Sequence, residues 1–426
     1  MFSLLKQLFA KKNKDLRKRI YFTLLVLSIY VIGTTIEVPG TQEITKDLGF
    51  LELLNVMGGG ALQRFSIFAL GVSPYITASI IIQLLQMDII PYFSELAKQG
   101  HTGQQKLNQI TRYVGIVFAF VQGYAMSYAF LGSTDVVTNL KISLILTAGT
   151  AFLLWLGDQV TQKGIGNGIS LIIMAGIVAS LPQMMANAFS SLVSFGSTGT
   201  TLVGIGSFIL FVIVYVSVIV GVVFIEGADR KIPIQYANKS TASLGKQTFL
   251  PIKINSAGVI PVIFASSLLS IPATIAQFVN KPGLTDFVNK YLDYTKPIGF
   301  VLFVVLIFFF AYFYTFIQMK PEDMSKNLRD NGGYIPGVKP GDSTKKYITQ
   351  VLSRLTIAGA LFLTIISALP ILINIFTDLP STVTIGGTSL LIVVGVAIET
   401  YKQLESSLMS RNYSQNKNYR RARVRK

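Results

Sequence analysis

Ten long apolar stretches constrain this chain more than any other feature. They run approximately over residues 20–38, 72–87, 112–131, 142–156, 169–189, 202–225, 257–279, 297–317, 352–376 and 385–404. Crossing the hydrocarbon of a bilayer takes about 20 mostly apolar residues in an α-helix, and there each backbone polar group must be satisfied within the protein. The second and fourth stretches are short and are expected to begin earlier. Charged residues keep to the ends of the stretches, as Glu37 and Glu399 do. Only 13% of the 426 residues are charged and 51% are hydrophobic, against roughly 25% charge in a soluble domain. A soluble globule is excluded, and so is an intrinsically disordered chain. The expected fold class is an all-α polytopic membrane protein with ten transmembrane helices.

The same residues exclude most chemistry. The chain has no cysteine, hence no disulfide, thiolate metal site or cysteine nucleophile. Its one histidine, His101, sits in a polar loop. No stretch carries a central Asp, Glu, Lys, Arg or His, where an ion-coupled carrier normally keeps them. A substrate-specific secondary transporter with inverted repeats is the rival reading, and the missing central charges count against it. An intramembrane enzyme lacks its acids, bases and metal ligands, and no cofactor is expected. The stretches instead hold Gly, Ser, Thr and Asn, with Pro74, Pro182, Pro261, Pro272 and Pro370 in or near them. Such residues let helices approach closely and break where a cavity must be lined.

Net charge is +17, from 37 basic and 20 acidic residues. With ten spans, 31 of the basic residues fall on the face that holds both termini, and six on the other. Positive charge stays inside, so both termini are expected in the cytoplasm. The first stretch is a full span with no small-residue cleavage pattern after it, and is expected to be retained rather than removed as a signal peptide. Ahead of it, Phe2, Leu5 and Phe9, with Leu4 and Leu8, form an apolar stripe beside lysines, which predicts a short interfacial helix. Two cytoplasmic loops, 226–254 and 318–346, are long and basic. They read either as a docking surface for something large and acidic or as plain retention of positive charge, and charge alone does not separate the two.

Residues 58–68 are apolar and helix-like but too short to cross. They start with three glycines and precede Gly71-Val72-Ser73-Pro74. Pattern alone allows a re-entrant helix or an exterior surface helix. Five strings then add a resemblance. Residues 58–85 read GGGALQRFSIFALGVSPYITASIIIQLL, and 153–182 read LLWLGDQVTQKGIGNGISLIIMAGIVASLP. Residues 251–267 read PIKINSAGVIPVIFASS, 335–341 read IPGVKPG, and 386–394 read GGTSLLIVV. Over essentially its whole length the chain resembles the SecY family of protein-conducting channels in the bacterial plasma membrane.

That resemblance implies two five-helix halves in inverted topology, about residues 1–195 and 196–426, around an hourglass pore. Carried over position by position, the waist would be ringed by Val72, Ile76, Ile169, Ile173, Ile263 and Ile392. An apolar collar suits a polypeptide channel, because it dewets, raises the barrier to hydrated ions and favours no one polypeptide sequence. The re-entrant plug would be Gly58, Gly59, Gly60, Ala61, Leu62, Gln63, Arg64, Phe65, Ser66, Ile67 and Phe68. A lateral gate would open between the second and third spans and the seventh and eighth, with Gln83 and Asn255 as its polar residues. Read from the residues alone, Asn255 is equally a helix-start cap at the membrane surface. Cytoplasmic docking would fall to Arg230, Lys231, Lys339, Lys345 and Lys346.

The implied partners are small membrane subunits of the SecE and SecG type, a SecA-type ATPase or a ribosome with its RNA phosphates, signal peptides and nascent chains, and lipid. The implied function is passage of unfolded secretory polypeptides and lateral release of membrane-protein helices. Three positions depart from the family pattern. Val31 stands where the first span usually carries arginine. Gly103-Gln104-Gln105-Lys106 replaces G-R-R-K, and Gly337-Val338-Lys339-Pro340-Gly341 replaces G-x-R-P-G. Arg and Lys differ where planar, multi-donor contacts matter. The departures fit either an accessory SecY with a dedicated ATPase and narrow cargo or drift in a housekeeping one.

Overall fold

The computed structural model describes residues 14–44, 52–86, 90–131, 135–193, 198–236, 248–279, 282–293, 296–376 and 386–424. The interfacial helix expected over residues 2–9 lies outside them. The helices are α1 (Lys14–Gly33), α2 (Glu52–Met57), α3 (Ser73–Leu85), α4 (Pro91–Lys98), α5 (His101–Leu131), α6 (Val136–Lys163), α7 (Gly168–Leu192) and α8 (Thr198–Gly227). After a hairpin of β1 (Asp229–Tyr236) and β2 (Thr248–Lys253) come α9 (Ile260–Val279), α10 (Pro282–Tyr291), α11 (Pro297–Met319) and α12 (Pro321–Asp330). Then follow β3 (Gly333–Tyr334), α13 (Asp342–Phe376) and α14 (Gly386–Val424).

A helix stands over each of the ten predicted stretches: α1, α3, α5 to α9, α11, α13 and α14. Among the described residues, six helices are long and apolar enough to cross a membrane by length and composition, within α5, α6, α7, α8, α11 and α13. The most apolar window of α8 is only 6% buried, so its side chains face outward, as in a helix solvated by lipid. The fourth stretch does begin earlier than its apolar core, at Val136. The Asp135 carboxylate caps that helix by accepting from the Val137 and Thr138 amides, each at 3.2 Å. Bonds from the Thr138 hydroxyl and then the Val137 amide hold this carboxyl below its ordinary pKa. The second stretch does not extend. Its helix has 13 residues, about 20 Å of rise, because turns over residues 58–72 precede it.

Polar bonds tie neighbouring helices where hydrocarbon would leave them unsatisfied. The Ser143 hydroxyl on α6 donates to the Phe120 carbonyl on α5 at 2.7 Å, and Ser127 donates to the Asn139 side chain at 2.7 Å. Arg112 on α5 pairs with Asp158 on α6 at 2.7 Å. The Ile165 amide, between α6 and α7, donates to the Thr23 hydroxyl on α1 at 3.1 Å.

The two long loops expected on the cytoplasmic side form one small body, of which the apolar stretches give no sign. Strands β1 and β2 pair antiparallel, with Ile232 opposite Leu250, and β3 from the second loop joins β1 through Gln235 and Tyr334. The strand order is β2-β1-β3. Pro233 is tolerated in the middle strand because β3 reaches only Gln235 and Tyr236, leaving β1 an edge at that point. Beneath the sheet, Ile232, Ile234, Ile252, Leu328, Ile335, Ile348 and Leu352 form a separate apolar core.

Candidate functional site

The six waist positions come from four helices. Five of them, Val72, Ile76, Ile173, Ile263 and Ile392, belong to one apolar cluster, and Ile169 packs against it. All six fall within two turns of a helix N-terminus. Val72 is the N-cap of α3, with Ile76 one turn on. Asn167 caps α7 by accepting from the Ile169 amide at 3.2 Å, and Ile173 follows one turn on. Residues four apart share a helix face, so α3 and α7 each contribute a stacked pair. Ile263 lies in the first turn of α9 and Ile392 in the second of α14.

Two cavities border these residues. The larger, about 180 Å³, is lined by Ile173, Ile263 and Ile392 together with Asn167, Ser170, Glu226, Asn255, Gln318 and Glu399. The smaller, about 20 Å³, is lined by Val72, Ile76 and Ile173 with Tyr30, Leu54 and Met57. It has room for about one water molecule. Ile173 borders both. The polar cavity and the small apolar one thus meet at Ile173.

The stretch expected as a plug helix, Gly58–Phe68, is instead a series of turns. The helix lies just before it, at Glu52–Met57. Gly59 and Gly60 take φ of 74° and 78°, and Phe65 takes 47°, values that end a right-handed helix. Backbone bonds pin the turns to residues 36–44: Val38 N–H to the Phe65 carbonyl and Ile67 N–H to the Ile36 carbonyl, both 3.0 Å, and Ile44 N–H to the Gln63 carbonyl at 2.8 Å. Leu62 and Phe65 are buried against α5 and α6 in a cluster of their own. From this part of the chain, Val56, Met57 and Phe68 belong to the large apolar cluster that holds the waist positions, and Met57 lines the small cavity with Val72, Ile76 and Ile173. Phe68 stacks between Tyr30 and Phe152, each ring centroid 6.1 Å away. On α7, Gly176 leaves no room for a Cβ beside the Met57 carbonyl and the Tyr30 hydroxyl, so this close approach requires glycine. Sequence reasoning does not reach Leu54, Val56, Met57 and Tyr30. The apolar run Leu51 to Met57 ahead of the glycines is the signal that could find the first three.

Helix α9 packs against both α3 and α5, which closes the expected gate seam. Gln83 and Asn255 are not bonded to each other. The Gln83 amide donates to Ser79 on its own helix at 3.0 Å, and its buried Oε1 has no partner among the described residues. Asn255, 3% exposed, donates through Nδ2 to Glu226 Oε1 at 2.6 Å and to the Gly258 carbonyl at 3.0 Å. It is a turn residue just before α9 rather than the N-cap.

Arg230, Lys231, Lys339 and Lys346 are exposed on the body formed by the two long loops. Lys345 pairs with Glu322 at 3.2 Å. The Lys339 tip is built firmly: Thr344 donates to the Lys339 carbonyl at 2.9 Å, and Ser325 to the Gly341 carbonyl at 2.8 Å. Of the departures from the family pattern, Val31 is exposed on α1, and Gln104 and Gln105 are exposed at the start of α5.

The comparisons with known proteins agree with this arrangement. The SecY family model matches residues 66–401. The protein translocase subunit SecY of Bacillus subtilis (strain 168) is 50% identical over 414 residues, covering 94% of this chain and 96% of the relative. That of Staphylococcus aureus (strain NCTC 8325 / PS 47) is 49% identical over 423 residues, with the same coverage. A solved protein-conducting channel superposes with a TM-score of 0.66 at 19% identity, over 92% of both chains. Sec61 from a canine ribosome–channel complex of the endoplasmic reticulum does so at 0.63 and 18%, again over 92% of both. The two solved structures share the fold; the match across four fifths of the sequence and the half-identical relatives go further, and by them this chain belongs to the SecY family.

Proposed function

We propose that this chain is the channel subunit of a bacterial protein translocase, passing unfolded polypeptides across the plasma membrane and releasing apolar helices sideways into it. What supports this reading is the apolar packing of Val72, Ile76, Ile169, Ile173, Ile263 and Ile392, bordered by a polar cavity and by a tight apolar one; we read these six as the waist of the channel. Side chains of this kind yield around a passing chain and close behind it, and they offer a hydrated ion nothing in place of its water. The plug is α2 with the turns through Phe68, which rest over the waist. The two halves, about 1–195 and 196–426, part along the seam where α9 meets α3 and α5. Gln83 and Asn255 weaken that seam as separate polar groups.

Both termini face the cytoplasm, as the 31 to 6 split of basic residues supports. The β1–β2 hairpin and the Lys339 loop form a single cytoplasmic platform for a SecA-type ATPase or a ribosome. It presents Arg230, Lys231, Lys339 and Lys346. The outward apolar face of α8 suits lipid and the small SecE- and SecG-type subunits. The departures at Gln104, Gln105 and Lys339 are exposed and stand off the waist, so they alter partner contacts and leave the channel itself unchanged. Reconstitution tests the reading. Vesicles holding the complex are expected to take up an unfolded secretory polypeptide only with the motor and ATP. Solute uptake without a motor, or no polypeptide uptake with one, would overturn it.

A further inference from the structure

The side-chain bond between Glu226 and Asn255 occupies the place where the cytoplasmic body meets the pore. The β1–β2 ladder runs down to Asp229 opposite Lys253. One step further, the Ile254 amide donates to the Ala228 carbonyl at 3.1 Å. The next step is made by side chains, with Asn255 Nδ2 donating to Glu226 Oε1 at 2.6 Å. Glu226 is 6% exposed and Asn255 3%, and both border the polar cavity of about 180 Å³. Lys253, Lys402 and Glu399 act on the Glu226 charge from nearby. Helix α13 closes the third side: a Cβ on Gly359 would stand 3.1 Å from the Ile254 carbonyl and 3.5 Å from Asn255 Oδ1. Five residues after Asn255, α9 begins, and Ile263 in its first turn belongs to the waist.

We infer that Glu226 is a positioning residue: through its bond to Asn255 it transmits displacement of the docked cytoplasmic body to the start of α9, and so to the waist. This rests on the docking role proposed above. A hydrogen bond between two largely buried side chains is stronger than one in bulk water, and it joins the last residues of α8 to the turn that sets α9. Without it, the hairpin still folds on its own ladder and apolar core, but its base is free to move without moving α9.

The test uses the complete complex in vesicles and separates motor binding from the export rate at saturating motor. Glu226→Ala is expected to bind the ATPase motor within twofold of wild type and to export at least about fivefold more slowly at saturation, the size of change that about 1 kcal/mol produces. Glu226→Gln, which keeps an acceptor oxygen for Asn255, is expected to retain most of the export rate. Asn255→Ala in the Glu226→Ala background is expected to add little further loss, as for two ends of one interaction. Export by Glu226→Ala at the wild-type rate would overturn the inference. So would loss of motor binding in that variant, since Glu226 would then shape the platform rather than couple it. An equal defect in Glu226→Gln would place the effect in the charge and not in the bond, which also overturns it. A wild-type complex that fails to bind the motor at all would instead remove the docking role on which the inference rests.

Discussion

The six waist positions and the core of the loop body are both made of branched aliphatic side chains, yet they are built differently. The body's core, Ile232, Ile234, Ile252, Leu328, Ile335, Ile348 and Leu352, lies under a sheet ladder and stays shut. It gives the exposed cations above it fixed positions. The waist has no ladder. It is assembled from the first two turns of four helices, and two cavities border it. On the function proposed above, the same side chains give a permanent core where the backbone is cross-linked, and a barrier that opens where only side chains meet.

The comparison breaks most sharply at Ile232. Ile232→Asp would bury an unpaired carboxylate at a site 1% exposed, a change that costs several kcal/mol. Motor affinity is expected to fall on the order of 100-fold, about 2.7 kcal/mol, while resting ion conductance stays at the wild-type level. A leak in that variant would mean that the two cores are not independent. Next in size, Ile76→Asn or Ile263→Asn should raise resting conductance by about tenfold, from about 1.4 kcal/mol off a dewetting barrier, with motor binding unchanged. Ile209→Asn and Ile213→Asn on the lipid-facing side of α8, both more than half exposed, should change it far less. Bilayer recordings of the four variants decide whether the waist is special.

A smaller effect is expected at the plug. Met57→Ser should raise resting conductance about threefold, whereas Leu62→Ser, in the separate cluster against α5 and α6, should leave the leak near wild type and lower thermal stability instead. Equal leaks would return the seal to the glycine-led turns. The smallest effect belongs to Lys339. One exposed cation contributes about 0.2–1 kcal/mol, so Lys339→Glu should weaken motor binding about fivefold at most, and Lys339→Arg should not weaken it. Orientation is checked by labelling. Cysteines at Val136 and Asp286, both exposed, should react from outside, and ones at Lys231 and Asn331 only after permeabilisation.

The membrane body is legible in the sequence and the platform is not. The ten stretches are long, so periodicity and hydropathy reinforce each other over many turns. Strand β1 is short and interrupted by Pro233, and β3 has only two residues, so neither sums to a clear signal. The alternation of Ile232 with Ile234 and of Leu250 with Ile252 is present, but it is too brief to stand out from a basic loop. At the waist, no residue differs in kind from its lipid-facing neighbours. Ile263 and Ile209 are the same side chain, and only a family resemblance or three-dimensional structure separates them. Three successive glycines read equally as the start of a plug helix or as its end. With Gly59 and Gly60 at positive φ they are its end, so the helix lies ahead of the expected segment. The Asn255 bond to Glu226 joins positions 29 residues apart and has no local signature.

The most direct test follows the polypeptide itself. The chain has no cysteine, so single cysteines at Ile173, Ile263 and Ile209 report without background. A secretory polypeptide carrying one cysteine, stalled midway by a folded C-terminal domain, is driven into vesicles with motor and ATP and then oxidised. Disulfide adducts are expected at Ile173 and Ile263 and not at Ile209. Adducts at Ile209, or none at the two waist positions while the polypeptide is protected from protease, would contradict passage through the waist.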